Sequence, residues 1–364
     1  MREFSSLPVV DLCRLGGSLA FSVDNALSLA IIQRHGHEPA EDIQFRVLRS
    51  HQEHFFLAGL KKLGLDRESS DAVRCAKFHV LSNFLGGLRV RYAEESPDKA
   101  WVVYDTPYWI DSPWTPSVAV AAIRPNMLIR TMAAWHGNNG ALLGNEGLAY
   151  VMTTLVPRGD ACDAGYFLDT HRKLDPSERL QLRFDEGIPP GLKLEAPKLD
   201  LAAWPLDRQA KAWRNFSVAY VGGRLFWMLR TLGEEETASL FEYALRLAIL
   251  QHRERVQGIM GIAGEPSPAR AAALWAGWHY SWGDEVQVTK GKDDGMAGEV
   301  RRSRLHEVGE FAPPASPFPA SLERAAARAW DTVIAYDCPG IVIAKAKSRG
   351  ETDTPWSFTF RRSR

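Results

Sequence analysis

Two histidines, His79 and His279, occupy the same place in two similar stretches of the chain, each beside an aromatic residue, Phe78 or Trp278. An imidazole with an unperturbed pKa of about 6.5 can take or give a proton at working pH, or bind a metal. A histidine hydrogen-bonded in a core gives the same pattern, and duplication does not separate the two, because structural residues are duplicated as well. His136, in the run Ala-Ala-Trp-His-Gly-Asn-Asn-Gly, closes a helix at a glycine break. There it would offer an imidazole together with amide donors to a developing oxyanion; an ordinary helix C-terminus accounts for the same residues. Asp160 and Cys162 lie at the corner of a predicted hairpin. Cys162 would be a nucleophile if Arg158 or His171 lowers its thiol pKa from about 8.5, and otherwise packs. Asp160 or Asp105 would orient the base, although an Asp160–Arg158 turn is the structural alternative.

His51, Glu53 and His54 form His-Gln-Glu-His on a helix, but a zinc protease helix needs its histidines four apart with the glutamate between them. No metal and no cofactor is expected. The aromatic residues Tyr104, Tyr108, Trp109 and Trp114 crowd one proline-punctuated stretch, and Trp275, Trp278, Tyr280 and Trp282 another. Together with Trp135 they would build a flat apolar pocket for a ring-shaped ligand; the spacing of Trp275, Trp278 and Trp282 is also that of a core-facing helix.

The elements that must position these residues follow from periodicity. Residues 1–17 read as irregular. Helices are predicted over 21–34, 40–63 and 72–84, the last with Ser69 or Ser70 as N-cap. Two alternating runs flank the turn at Ser96-Pro97-Asp98 and read as paired strands. A helix over 126–136 leads to a hairpin over 150–171, with glycine at its Arg158-Gly159-Asp160 corner. The order then returns. Residues 222–236, 240–259 and 273–288 echo earlier segments, with His252 over His51 and Glu254 over Glu53. Trp330 falls near Trp135, and the closing hairpin sets Arg349-Gly350-Glu351 over the first corner. The predicted fold class is α+β: two tandem copies of a helix-helix-strand-strand-helix-strand-strand module with antiparallel sheets. The first module spans 18–172, a proline-rich connector 173–205, and the second module 206–364. Such repeats meet about a pseudo-twofold axis and enclose a cleft lined by equivalent residues.

This order resembles the family of L-2-amino-thiazoline-4-carboxylic acid hydrolases, and more loosely the 4-vinyl-reductase-type small-molecule-binding domains. The likeness rests on Ala-Lys-Phe-His-Val-Leu-Ser-Asn-Phe-Leu-Gly-Gly at 76–87 and Arg-Gly-Asp-Ala-Cys-Asp-Ala-Gly-Tyr-Phe at 158–167. The latter is similar to the family's Gly-Asp-x-x-Cys-x-aromatic ending, with one residue rather than two between Asp160 and Cys162. The second copy has Asp353 where Cys162 stands. The resemblance implies a small-molecule enzyme or binder, and the single-module members open a small ring by cutting a carbon–nitrogen bond.

Composition narrows the classes. In 364 residues, 44 basic and 44 acidic side chains cancel, so no nucleic-acid or anionic-membrane partner is expected. Four cysteines, far apart and without a Cys-x-x-Cys pair, argue against a zinc ribbon or a disulfide scaffold. Charges at Asp11 and Arg14 interrupt the apolar start, which a signal peptide avoids, and no uncharged run nears the ~20 residues of a membrane span. A cytoplasmic location is the expectation, with a small-molecule substrate as partner and homo-oligomer formation left open. The expected chemistry is acid/base cleavage of a cyclic or aromatic compound, foremost carbon–nitrogen hydrolysis. A cofactor-independent lyase and a non-enzymatic sensor or carrier are the alternatives.

Overall fold

The computed structural model describes residues 7–68, 70–105, 123–291, 294–307, 319–348 and 356–363. Tyr108, Trp109, Trp114 and the second corner at 349–351 therefore lie outside the described residues. The chain is α+β. It packs as two units: His35–Pro205, and Met1–Arg34 together with Leu206–Arg364.

Helix α1 runs Val9–His35, well before the predicted start. Leu12, Leu15, Leu19, Val23, Leu27 and Ile31, three or four residues apart, make one buried stripe. Gly16 and Gly17 lie inside this helix as points of close approach: a Cβ at Gly16 would overlap the Ser281 carbonyl, and one at Gly17 would press on the Trp213 ring at 3.2 Å. By length and composition α1 is also apolar enough to cross a membrane, which the expected absence of any such run did not anticipate; 67% of its most apolar window is buried inside the protein.

In the unit His35–Pro205, α2 (His37–Lys62) and α3 (Asp71–Leu85) precede β1 (Val90–Ser96) and β2 (Lys99–Asp105). Ser70 starts α3 by accepting the Val73 N–H at 3.2 Å. Next come α4 (Pro125–Ala134), a tight turn at His136–Asn138 and the short α5 (Asn139–Leu143). β3 (Leu148–Thr154) and β4 (Cys162–Asp169) form the expected hairpin, with Gly159 at φ 98° in its corner. β5 (Leu180–Leu182) completes a sheet of order β1-β2-β4-β3-β5, antiparallel except for the β3–β5 pair.

Side chains alternate across this sheet. Tyr104 and Phe167 point to the face on which α3 packs. Trp101 and Tyr166 point to the other, where they cluster with Ala93 and Val151 and are covered by Ile188, Leu192 and Leu194. Residues 173–205 are thus part of this unit rather than a connector. They add β5, bridge Tyr92 to Glu195, and close the second apolar face. A sheet that is apolar on both faces must be covered on both, and an irregular proline-rich strap does this without any helical or strand period.

In the other unit, α6 (Leu206–Thr231), α7 (Glu234–Met260) and α8 (Pro268–Trp282) lead into β6 (Glu285–Lys290) and β7 (Met296–Arg302). α9 (Arg304–Glu307), α10 (Ala320–Asp337), β8 (Ile341–Ser348) and β9 (Trp356–Arg362) follow. The sheet order is β6-β7-β9-β8, all antiparallel. That is the strand order of β1-β2-β4-β3, and α8 packs on its sheet as α3 does on the first. α1, expected in the first module, packs here instead. Its Asp24 makes a bidentate pair with Arg224 of α6, at 2.6 and 2.9 Å, with the two side chains only 6% and 1% exposed.

Candidate functional site

Three elements of the unit His35–Pro205 converge on one buried polar cluster. α3 presents His79 on its inward side, among Cys75, Ala76, Phe78 and Asn83. The turn after α4 brings in His136, Asn138 and Asn139, all buried. β2 contributes Tyr104. The His79 and His136 rings stack with centroids 3.7 Å apart and planes 15° from parallel. Tyr104 Oη lies 2.6 Å from His136 Nε2. Phe167 lies nearly parallel to both imidazoles, at 5.4 and 5.7 Å, and Tyr150 closes the side at 4.5 Å from His136.

Amides wire the cluster. Gln52 Nε2 donates to the Trp135 carbonyl at 2.6 Å and to Asn139 Oδ1 at 2.7 Å. Asn138 Nδ2 donates to Gln52 Oε1 at 2.7 Å, and Asn139 Nδ2 lies 2.7 Å from His79 Nε2. Asn83 Nδ2 donates to the His79 carbonyl at 2.7 Å. Both imidazoles are only 2% exposed. Burial pushes His79 down to about 3. Burial, then the neighbouring His79, holds His136 well below the ordinary histidine range. Both rings are neutral at physiological pH.

A carboxyl group joins them. Asp163 stands directly across from Tyr104 in the β2–β4 register, and so on the same face. It is 1% exposed. Its Oδ1 accepts the Val156 N–H at 2.7 Å, while Oδ2 is buried with no hydrogen-bond partner among the described residues. Burial raises its pKa to about 7, against the Val156 N–H, with Asp160 adding a further upward push. His136 Nδ1 likewise has no partner among the described residues. A phenol, two neutral imidazoles and a carboxyl that titrates near neutrality can accept and return protons.

Asp163 was absent from the expected set. The alternation Asp163, Gly165, Phe167 along β4 is the signal that could have found it, since it fixes the face opposite to that of Cys162.

The structure separates several expected residues from this cluster. Cys162 and Asp105 pair with each other on the sheet's other face. Burial raises the Cys162 thiol. The cations expected to activate it are engaged elsewhere, Arg158 over the Phe184 ring at 3.8 Å and His171 3.2 Å from Asp98. Cys162 is therefore no activated nucleophile. Asp160 accepts the Leu155 N–H at 2.7 Å and shapes the corner, and Asp105 is held by Arg91 at 2.6–3.1 Å. Neither orients a histidine.

His279 belongs to the other unit. Its Nδ1 lies 2.7 Å from Asp284 Oδ2, and its ring packs on Trp275 and Trp330. Trp278 and Trp282 are core residues that pack on each other. Trp135 stacks on Phe78 at 5.7 Å and edges His79 at 5.3 Å, forming a wall of the cluster. His51 is buried against Phe55 and Trp135, while Glu53 and His54 are exposed. Among the described residues no group of three or more His, Cys, Asp or Glu could hold a metal ion. No protein-family model, curated protein or solved structure matches the chain.

Proposed function

We propose that the unit His35–Pro205 is a small-molecule enzyme that cleaves a carbon–nitrogen bond of a cyclic or aromatic compound by acid/base hydrolysis. The observation that carries this reading is the buried Tyr104–His136–His79 stack, in which both imidazoles are neutral. A neutral His136 takes a proton from the attacking water. Asp163, partly protonated near neutral pH, gives one to the departing nitrogen, and Tyr104 orients the imidazole. The resemblance to the amino-thiazoline carboxylate hydrolases supports carbon–nitrogen cleavage as the bond broken.

The test is to incubate the purified full chain with a panel of five- and six-membered cyclic carbon–nitrogen compounds, amino-thiazoline carboxylates among them, and to follow ring opening by NMR. Turnover that disappears in His136→Asn and Asp163→Asn, with ligand binding retained, is the expected result. The 2% exposure of His79 and His136 favours a second reading, a sensor or carrier, because a closed cluster excludes the water that hydrolysis needs. Panel members that bind without being opened would select that reading.

A further inference from the structure

The directions of the amide hydrogen bonds follow from a single fixed point, the backbone carbonyl of Trp135. A carbonyl only accepts, so the Gln52 atom 2.6 Å away is the amide nitrogen. The second hydrogen of that nitrogen goes to the Asn139 side chain at 2.7 Å, which must present its oxygen there. Gln52 Oε1 then accepts from Asn138 Nδ2 at 2.7 Å, so both Gln52 N–H groups and its oxygen are engaged. With its oxygen on Gln52, Asn139 turns its nitrogen to His79 Nε2 at 2.7 Å. An N–H donor facing Nε2 needs a bare nitrogen there, which leaves the ring proton on Nδ1. Gln52 and Asn139 are 0% exposed, so no solvent water competes for these positions.

We propose that Gln52 is a positioning residue that, through Asn139, locks His79 as the Nδ1–H tautomer. With the His79 Nε2 lone pair already occupied, the base is His136 in the tautomer whose Nε2–H donates to Tyr104 Oη, which leaves bare an Nδ1 that has no partner among the described residues. That division of labour rests on the proposed acid/base reading; the tautomer does not.

Two-bond proton–nitrogen correlation spectra of the full chain labelled with 15N-histidine distinguish protonated from bare ring nitrogens. His79 is identified by its contacts with both the Phe78 and the Phe167 rings. In the wild type His79 is expected to show a protonated Nδ1 and a bare Nε2. Asn139→Asp puts an acceptor oxygen against Nε2 and should move a proton onto it. Gln52→Leu releases Asn139 and should give His79 averaged shifts. A wild-type His79 with its proton on Nε2 overturns the proposal, as does a Gln52→Leu spectrum unchanged at His79. The wild-type spectrum decides the tautomer even if a variant fails to fold. No turnover is measured, so the outcome is separable from that of the proposed reaction.

Discussion

Tyr104→Phe removes the hydroxyl that occupies His136 Nε2 at 2.6 Å. A buried polar atom left without its partner costs about 1–3 kcal/mol, so the variant should unfold at lower urea with an unchanged slope. The titrating residues of the same cluster act with opposite signs. His79 has its folded pKa depressed to about 3. The unfolded chain therefore binds the proton first, and stability is lost as pH falls from about 6.5 towards 3, by up to about 1.4 kcal/mol per pH unit. Asp163 has its folded pKa raised to about 7. Here the native state holds the proton more tightly, and stability declines as pH rises from about 4 to about 7. Asp163→Asn should remove that decline, raising the urea midpoint more at pH ~8 than at pH ~4 relative to wild type. Equal shifts at both pH values would show that Asp163 is already ionised in the fold at neutral pH.

Elements here are held by what covers them. α1 crosses close to Ser281, and Gly16→Ala would drive a methyl group into that carbonyl. Overpacking of this kind costs about 1–3 kcal/mol, visible as a lower melting temperature. The strap over the first sheet carries a clearer consequence. Residues 35–172 alone would leave Trp101, Tyr166 and Val151 without Ile188, Leu192 and Leu194. That fragment should bind the dye ANS and aggregate, whereas 35–205 should give a dispersed NMR spectrum. A well-folded 35–172 would show that the strap is dispensable.

At the scale of the whole chain, the two units do not follow the expected module boundaries. Helix α1 precedes the first unit in sequence but packs in the second, where Asp24 is the buried counter-charge of Arg224. Asp24→Ala should destabilise that unit by about 3–5 kcal/mol, because it strands a guanidinium in the interior. Pairing it with Arg224→Met should recover most of the loss, as measured by denaturation. Residues 206–364 expressed alone should likewise fail to fold until the segment 1–34 is supplied.

Much of this protein is written locally. The stripes of α2, α3 and α4, the alternation of β1 to β4, the Ser70 cap and the Gly159 corner all depend on neighbours within a few residues, and the periods of 3.6 and 2 expose them. His79 and His136 could be singled out for the same reason, as imidazoles placed on predicted elements. Their surroundings could not. Gln52 finds Trp135 and Asn139 across 83 and 87 positions, and Asn139 finds His79 across 60; no periodicity encodes such partners. Likewise, only the strand register puts Asp163 beside Tyr104. The sequence by itself determined the strongly periodic elements and that His79 and His136 could carry protons. The tertiary structure alone decided which of them meet, because burial, hydrogen-bond direction and proton affinity arise from atoms that the chain brings together only on folding.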